Sequence, residues 1–489
     1  MKLSKLISEL EIVSINGETD IDINSINHDS RKVIQGSLFI AIKGFKVDGH
    51  DYILEAISNG ARAIIVDKKI IINSDIKDIT IIEVHDTRLA LASVASIYYD
   101  NPSGKIELIG ITGTNAKTTT TYLIKSIFEA VDKKTGIIGT IGNVINDKLV
   151  KSENTTPESL ELQQALYSMV KEGHSSCAME VSSHSLELNR VAFCKFNVGV
   201  FTNLTTDHLD YHKTFENYFK AKMKLFYMTD KYNIINIDDK HGREMIDQIS
   251  HINTPLLTYG IEEKADIYAD EIEYFADGVR FMLNTPKGSV RIKMNIPGHF
   301  SVYNSLAASA CAYSYGISLD EIQKGLESVK GVRGRLEIVP TNKDFTVMID
   351  FAHTADALEK VLGIVDQFAL GRKVIVFGAG GDRDTSRRAP MGKVAGKYCD
   401  LCIVTSDNPR TEDPQAIIDD IVQGVKSVNG NYVEIIDRKE AIRYAIENSK
   451  PKDIIILAGK GHETYTILGD KKYPFDEREI VMEILQTLK

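Results

Sequence analysis

No stretch of this chain approaches the roughly eighteen uninterrupted apolar residues that a membrane-spanning helix needs, so no membrane span is expected. The N-terminus lacks an apolar core as well: residues 1–17 carry acidic and polar side chains where a signal peptide would be hydrophobic. A soluble, cytoplasmic protein is the expectation. Basic residues are in short supply, with 58 Lys and Arg against 68 Asp and Glu. The formal net charge of -10 argues against a general nucleic-acid binder, which carries a basic surface. A locally basic pocket for a small anion stays open. Only five cysteines occur in 489 residues, too few for a disulfide framework. Cys399 and Cys402 form one C-x-x-C with no second pair, and Cys402-Ile403-Val404 opens like a buried strand. Burial is therefore expected over a redox pair or half a zinc site. Repeats and low-complexity tracts are absent too, and tryptophan does not occur.

What is present suits two to four domains, and three blocks emerge. Residues 1–100 alternate short apolar runs, such as Ser37-Leu-Phe-Ile-Ala-Ile42 and Ala63-Ile-Ile-Val66, with helical segments such as the one around 51–59. That is the rhythm of a small α/β unit. Residues 101–333 open with Ile106-Glu-Leu-Ile-Gly-Ile111, a Gly/Thr-rich turn and a helix from about Thr118. Strand-like runs at 176–181, 197–201 and 232–237 follow, the pattern of a parallel sheet covered on both faces. A β-rich stretch over 254–296 and a helix near 304–315 complete this block. Gly331-Val-Arg-Gly-Arg335 is a hinge candidate into residues 334–489, where strands at 345–350, 373–377, 401–405 and 454–457 predict a second open α/β sheet. Ligands of such sheets bind in loops at the carboxyl ends of strands.

Thr112-Gly-Thr-Asn-Ala-Lys-Thr-Thr119 lies between a strand and a helix, the setting a phosphate-binding loop requires. Gly113, Thr114 and Asn115 would bring backbone N–H groups to phosphate oxygens. Lys117 could bridge the outer phosphates and the Thr118 hydroxyl could hold Mg²⁺. Ala116 stands where glycine normally precedes the lysine; a positive φ there costs an alanine about 1 kcal/mol, while a helical φ costs nothing. The plain alternative is a threonine-rich loop capping a helix. Met179-Glu-Val-Ser-Ser-His184 and Asn203-Leu-Thr-Thr-Asp-His-Leu-Asp-Tyr-His212 place carboxylates and imidazoles near strand ends, as Mg²⁺-dependent phosphoryl transfer needs. His208 and His212, four apart, would suit zinc only if helical, and they lack the frame of an H-E-x-x-H helix.

These segments, with Asp350-Phe-Ala-His-Thr354, resemble in order the motifs of the Mur ligase family. Asp29-Ser-Arg31, Gly36-Ser-Leu-Phe-Ile-Ala41 and Asp48-Gly49 are similar to a uridine-nucleotide-binding domain of that family. Gly380-Gly-Asp-Arg-Asp384, Asp407-Asn-Pro-Arg410 and Gly459-Lys-Gly-His-Glu463 extend the likeness over nearly the whole chain. The resemblance implies an α/β protein of three domains: a small uridine-nucleotide-binding domain, a central P-loop ATPase-like domain with a parallel sheet, and a Rossmann-like C-terminal domain. It implies ATP and Mg²⁺ as cofactors, a UDP-muramyl dipeptide and an amino acid as substrates, and a monomer. Carried over by position, Lys117, Glu180, His208 and Lys222 would be catalytic. Thr118, Glu180, His208 and Lys222 would hold metal, with Lys222 carbamylated, since CO₂ turns a cation into an anion that a hard metal accepts. A solvated helix lysine is the plain reading of Lys222. Asn304, Arg335 and Asp350 would join residues 112–119 around ATP. Ser30, Asn154, Thr155, Thr156, Ser182 and Arg190 would hold the muramyl dipeptide. Phe351 and Ala355 depart from the family's usual Tyr and Pro, and Leu188 replaces a polar residue of some relatives, so these three receive no role.

The amino acid is read from the loop Asp407-Asn408-Pro409-Arg410. The fork of Arg410 suits the distal carboxylate of meso-diaminopimelate, with Asn408 adding an amide contact. Gly459 and Glu463 would take the distal ammonium and Arg383 the proximal carboxylate. L-lysine is the alternative, and a surface pair of Arg410 with Glu412 or Asp413 is the plain one. Folylpolyglutamate synthetase is a rival of the same reaction type. Gly378-Ala-Gly380 hints at a dinucleotide-binding oxidoreductase but lacks the third glycine, and a non-enzymatic nucleotide switch is the remaining alternative.

Overall fold

The computed structural model describes residues 1–44, 47–70, 78–152, 154–275 and 277–488. The chain falls into two compact units, Met1–Tyr268 with Leu306–Ile322, and Ala269–Ser305 with Gln323–Lys489. Among the described residues no helix is long and apolar enough to cross a membrane.

The first unit opens with five strands, β1 (Ile12–Asn16), β2 (Ser25–Asn27), β3 (Ser37–Ile40), β4 (Ala61–Val66) and β5 (Thr80–Val84), in the order β1-β5-β4-β3-β2. β2 to β5 run parallel and β1 closes one edge antiparallel. Strands covered on both faces read as unbroken apolar runs. In β4, Ala63 and Ile65 enter one core while Ile64 and Val66 enter the other. The helical stretch expected around 51–59 is a helix, Ile53–Ser58, preceded by a 3-10 turn, Gly49–Tyr52, whose start the Asp48 carboxylate caps by accepting from His50 N at 3.0 Å.

The same unit holds a second sheet of β6 (Glu107–Thr112), β7 (Thr135–Ile138), β8 (Asn143–Ile145), β9 (Lys148–Val150), β10 (Ser176–Glu180), β11 (Phe196–Phe201), β12 (Thr229–Asn236) and β13 (Leu256–Gly260). Their order is β13-β12-β11-β6-β10-β7-β8-β9, parallel as far as β7, after which β8 and β9 fold back antiparallel. Register sets Glu180 beside Ile111 and Phe201 beside Thr112. The central strands β6, β10 and β11 therefore end level, and the three motifs that follow them share one edge. β14 (Ile267–Phe275) runs from the first unit into the second, where β15 (Gly278–Thr285) and β16 (Gly288–Met294) pair antiparallel. The helix expected near 304–315 spans His299–Ser314.

The second unit's main sheet comprises β17 (Glu337–Val339), β18 (Thr346–Asp350), β19 (Lys373–Phe377), β20 (Leu401–Val404), β21 (Tyr432–Glu434) and β22 (Ile454–Ala458). Its order is β17-β18-β22-β19-β20-β21, with only β17 antiparallel. Alternate residues supply opposite cores: Ile375 and Phe377 pack on one face, Val374 and Val376 on the other. A hairpin of β23 (Tyr465–Leu468) and β24 (Lys471–Pro474) follows β22. Cys399 and Cys402 are free and buried, and burial pushes the Cys402 thiol up to about 12. The C-x-x-C is core packing, as expected.

Candidate functional site

β6 runs into residues 113–116 and the helix Lys117–Glu129, so loop N–H groups and the positive end of a helix meet at the strand end. Gly113 sits at φ +151°, and a Cβ there would collide with Thr202 Oγ1. Ala116 adopts φ 77° and ψ -17°, the left-handed alternative, at a cost of about 1 kcal/mol. The segment after β11 holds the loop in this shape. Thr114 N donates to Asn203 O (2.8 Å), Asn115 N to Asn203 Oδ1 (3.0 Å), and Thr202 Oγ1 to Asn115 O (2.7 Å). Lys117 Nζ donates to Gly113 O and Thr114 O, both at 2.9 Å, and Lys222 Nζ reaches the same Gly113 O at 2.8 Å. Lys222 is buried against the Tyr218 ring, 4.7 Å from its centroid. Burial, and then the Lys117 ammonium, hold its amine well below the usual lysine range. It is not a solvated helix lysine.

β10 ends in the buried Glu180. Its Oε1 accepts from Thr140 N (2.9 Å) and its Oε2 from Thr140 Oγ1 (3.0 Å), which lies 3.0 Å from Thr155 Oγ1. Thr156 Oγ1 donates to Glu180 O (2.8 Å), and Ser182 N donates to Thr156 Oγ1 (3.1 Å). Ser182 Oγ caps the helix Ser183–Glu187. Arg190 Nη1 donates to Thr156 O (3.2 Å), and its Nε lies 2.7 Å from Glu158 Oε1, a carboxylate shared with Arg88 at 3.2 Å. One network thus joins Thr155, Thr156, Glu180, Ser182 and Arg190. Thr140 and Glu158 hold it together, and no sequence signal marks either. Asn154 is exposed beside it, its carbonyl taken by Ser152 Oγ at 2.7 Å. Ser30 stays with the N-terminal sheet, its hydroxyl donating to Glu55 Oε2 (2.9 Å) and its carbonyl accepting from Asn59 Nδ2 (3.0 Å).

His208 has a left-handed backbone (φ 52°) as the cap of the helix Leu209–His212, and its carbonyl accepts from His212 N at 3.0 Å. The His212 side chain turns to Ser183, with Nε2 2.9 Å from Ser183 Oγ. Burial lowers the pKa of His208. Among the described residues no group of three His, Cys, Asp or Glu side chains gathers as metal ligands. Mg²⁺ asks for less: it keeps waters and phosphate oxygens and takes one or two protein oxygens. The buried Glu180 carboxylate and the Thr118 hydroxyl, hard donors beside the phosphate loop, fit a nucleotide-bound Mg²⁺. Lys222 could join them only with a carboxylate on its nitrogen.

In the second unit the loops after β18, β19, β20 and β22 surround a cavity of about 660 Å³. Arg383, Asp407, Asn408, Arg410, Gly459 and Glu463 all line it, and Pro409, expected with them, does not. Arg410 Nη1 donates to Gly381 O (2.5 Å), while Arg410 N donates to Ile467 O (3.2 Å). The surface-pair alternative is not what forms: Glu412 lies 2.7 Å from Arg388, and Asp413 caps the helix Pro414–Lys426. Asn408 Nδ2 donates to Glu463 Oε2 (3.0 Å). Phe351 lines the cavity too, with its ring 4.8 Å from that of His462 and 5.2 Å from the Arg335 guanidinium. Arg335 and Asp350 come together: the Asp350 oxygens accept from Leu336 N and Ala352 N, each at 2.8 Å. Burial raises the Asp350 pKa, with Arg335 opposing. Asn304 is buried on the helix His299–Ser314.

Family models match along the chain: "Mur ligase family, catalytic domain" at residues 22–99, "Mur ligase middle domain" at 111–312, and "Mur ligase, glutamate ligase domain" at 334–461. A UDP-N-acetylmuramoyl-L-alanyl-D-glutamate--2,6-diaminopimelate ligase from Clostridioides difficile (strain 630) is 49% identical over 488 residues, 100% of both chains. The protein of that name from Caldanaerobacter subterraneus subsp. tengcongensis is 51% identical over 471 residues, 96% of each. A solved structure of a ligase of the same name has a TM-score of 0.71 and 31% identity, covering 99% of both chains.

Proposed function

The chain belongs to the Mur ligase family, and from that premise we propose that it joins meso-2,6-diaminopimelate to UDP-N-acetylmuramoyl-L-alanyl-D-glutamate at the expense of ATP. The observation that carries this reading is the cavity after β18, β19, β20 and β22. It sets the donors Arg383, Asn408 and Arg410 against the acceptors Asp407 and Glu463, and an amino acid with a carboxylate and an ammonium at each end finds a partner for every charge. L-lysine would leave Arg410 without a carboxylate, and a site built for a hydrogen-bonding group rejects an analogue that lacks it.

The D-glutamyl carboxylate attacks the γ-phosphorus of ATP, giving an acyl phosphate and ADP. The free amine of diaminopimelate then attacks the acyl carbon, phosphate leaves, and the amine loses a proton. The chain's part is positioning and charge. Loop N–H groups between Gly113 and Thr119, other than those of Thr114 and Asn115, which Asn203 holds, cradle the phosphates, and Lys117 leaves its loop carbonyls to meet the transferring phosphoryl group. Asn304, Arg335 and Asp350 serve the nucleotide. Thr155, Thr156, Ser182 and Arg190, with Asn154 beside them, hold the muramyl dipeptide, and Ser30 holds its uridine diphosphate. Mg²⁺, bound with the nucleotide by Thr118, Glu180 and His208, would supply positive charge at the phosphates. Burial and the Lys117 ammonium lower the Lys222 pKa, which favours the uncharged amine that combines with CO₂, and the resulting carbamate would be attracted to Lys117. A reaction that draws on ATP and a uridine nucleotide belongs in the cytoplasm.

The test is purified protein with ATP, the UDP-muramyl dipeptide and either diaminopimelate or L-lysine, read by mass spectrometry and phosphate release. Product from diaminopimelate is expected. Product from lysine alone, or ATP turnover without the uridine substrate, overturns the reading.

A further inference from the structure

Behind the amino-acid cavity lies Lys460, at 0% exposure. Its Nζ donates to Asn408 Oδ1 and to Tyr465 O, both at 3.0 Å. Asp407 Oδ1 stands 3.6 Å away and Glu463 Oε2 3.9 Å. The contact with Asn408 matters because an asparagine amide has two nearly isosteric ends, a carbonyl that accepts and an NH₂ that donates. Its neighbours decide which end a ligand meets. Asn408 Oδ1 accepts a second hydrogen bond, from Ile467 N at 3.0 Å. With the oxygen engaged twice, Nδ2 turns to the side of Glu463 Oε2 (3.0 Å) and the cavity. The flipped amide would set NH₂ against the Lys460 ammonium and oxygen against the Glu463 carboxylate.

We propose that Lys460 is a positioning residue of the amino-acid site: by occupying the Asn408 carbonyl it keeps the Asn408 NH₂ turned to the cavity, where it donates to a substrate carboxylate. The inference rests on the diaminopimelate-ligase reading above. Besides Asn408, Lys460 holds Tyr465 O at the start of β23, but the loop has further clamps from the β23–β24 hairpin that do not pass through Lys460. Thr466 Oγ1 donates to Asp407 O (2.8 Å), Arg410 N to Ile467 O (3.2 Å), and Gly469 N to Arg410 O (2.8 Å). Arg410 therefore stays in place when Lys460 is removed.

The test compares wild type with Lys460→Met, Asn408→Ala, the double variant and Asn408→Asp, varying diaminopimelate at saturating ATP and UDP-muramyl dipeptide. Lys460→Met is expected to raise KM for diaminopimelate about tenfold, the loss of roughly one hydrogen bond to a charged group, with KM for the other substrates unchanged. In the Asn408→Ala background the same change adds much less, because the amide it acts through is gone and only its charge beside Asp407 and Glu463 is lost. Asn408→Asp, which turns a carboxylate oxygen to the cavity, raises KM more than Asn408→Ala. Additive losses in the double variant overturn the inference, and so does an Asn408→Asp enzyme that takes diaminopimelate as wild type does. The Asn408→Asp arm leaves Lys460 intact and decides the matter even if Lys460→Met does not fold. A wild type that makes no diaminopimelate product removes the ligase reading and this inference with it, whereas an active wild type with unaffected variants removes only the inference.

Discussion

Replacing Arg410 by lysine keeps the charge and removes the fork, and the surroundings allow the loss to be worked out. Arg410 spends Nη1 on Gly381 O, and its remaining N–H groups are available to the cavity it lines. A lysine is shorter, carries a point charge and cannot grip a carboxylate with two parallel bonds. Hydrogen bonds to charged groups contribute about 1.5–3 kcal/mol each. Losing one from a bidentate pair lowers kcat/KM for diaminopimelate by roughly 10- to 150-fold, at about 1.4 kcal/mol per decade. The backbone adds little, because both residues bear the same strain at the observed φ of 52°. L-lysine has no distal carboxylate, so its kcat/KM stays where it was. Arg410→Lys therefore erodes the preference for diaminopimelate over lysine by the whole of that factor. The assay is steady-state phosphate release with each amino acid in turn, at saturating ATP and UDP-muramyl dipeptide. Parallel losses with both amino acids would show that Arg410 only holds the loop, and an unchanged ratio would refute its contact with the distal carboxylate.

Four further outcomes are expected. Ala116→Gly relieves about 1 kcal/mol of left-handed strain against about 0.5 kcal/mol of added chain entropy; the first urea transition should move slightly upward, and a clear downward shift contradicts the strain argument. Lys222 should give a carbamate signal by NMR when the protein is kept in isotopically labelled bicarbonate, and Lys222→Ala should abolish both the signal and turnover; full activity in that variant rejects the assignment. Thr140→Val removes one of the two Thr140 bonds to Glu180, which lowers kcat about tenfold and leaves KM for diaminopimelate unchanged, whereas an altered KM with intact kcat counts against a positioning role. His462 is held at about 4 by burial and then by Arg335 and Arg333. Between its ordinary 6.5 and 4 only the unfolded chain takes the proton, so stability is full above about 6.5 and falls as the pH drops, by up to about 3 kcal/mol. His462→Phe should flatten that limb in thermal melts from pH 7 to 5, and an unchanged slope refutes the assignment.

The strands were legible wherever a parallel strand had to be apolar along its length, as in Ile106–Ile111 and Lys373–Phe377. The site was legible where chemistry confines the choice of residue: a lysine at a phosphate loop, an arginine fork for a carboxylate. Boundaries shifted where a side chain intervened, as Asp48 did when it capped His50 and started a 3-10 turn ahead of the expected helix. The fork at Ala116 shows another limit. One residue type permitted two conformations, and only the hydrogen bonds that Asn203 makes to Thr114 and Asn115 account for the left-handed one.

Residues that act by holding others are hidden for a different reason. Thr140 and Glu180 are far apart in the chain, and they meet because β7 and β10 are neighbours whose ends lie level. Lys460 stands inside a recognisable motif, yet nothing about a lysine between two glycines says that it points away from the ligand. Its role follows from three facts that exist only in the fold: complete burial, an asparagine oxygen within hydrogen-bonding distance, and a second donor from β23 on the same oxygen. A binding residue must carry the group its ligand requires, which restricts its type and makes it visible in sequence. A positioning residue answers only to its neighbour, so its type becomes intelligible once that neighbour and its free end have been placed.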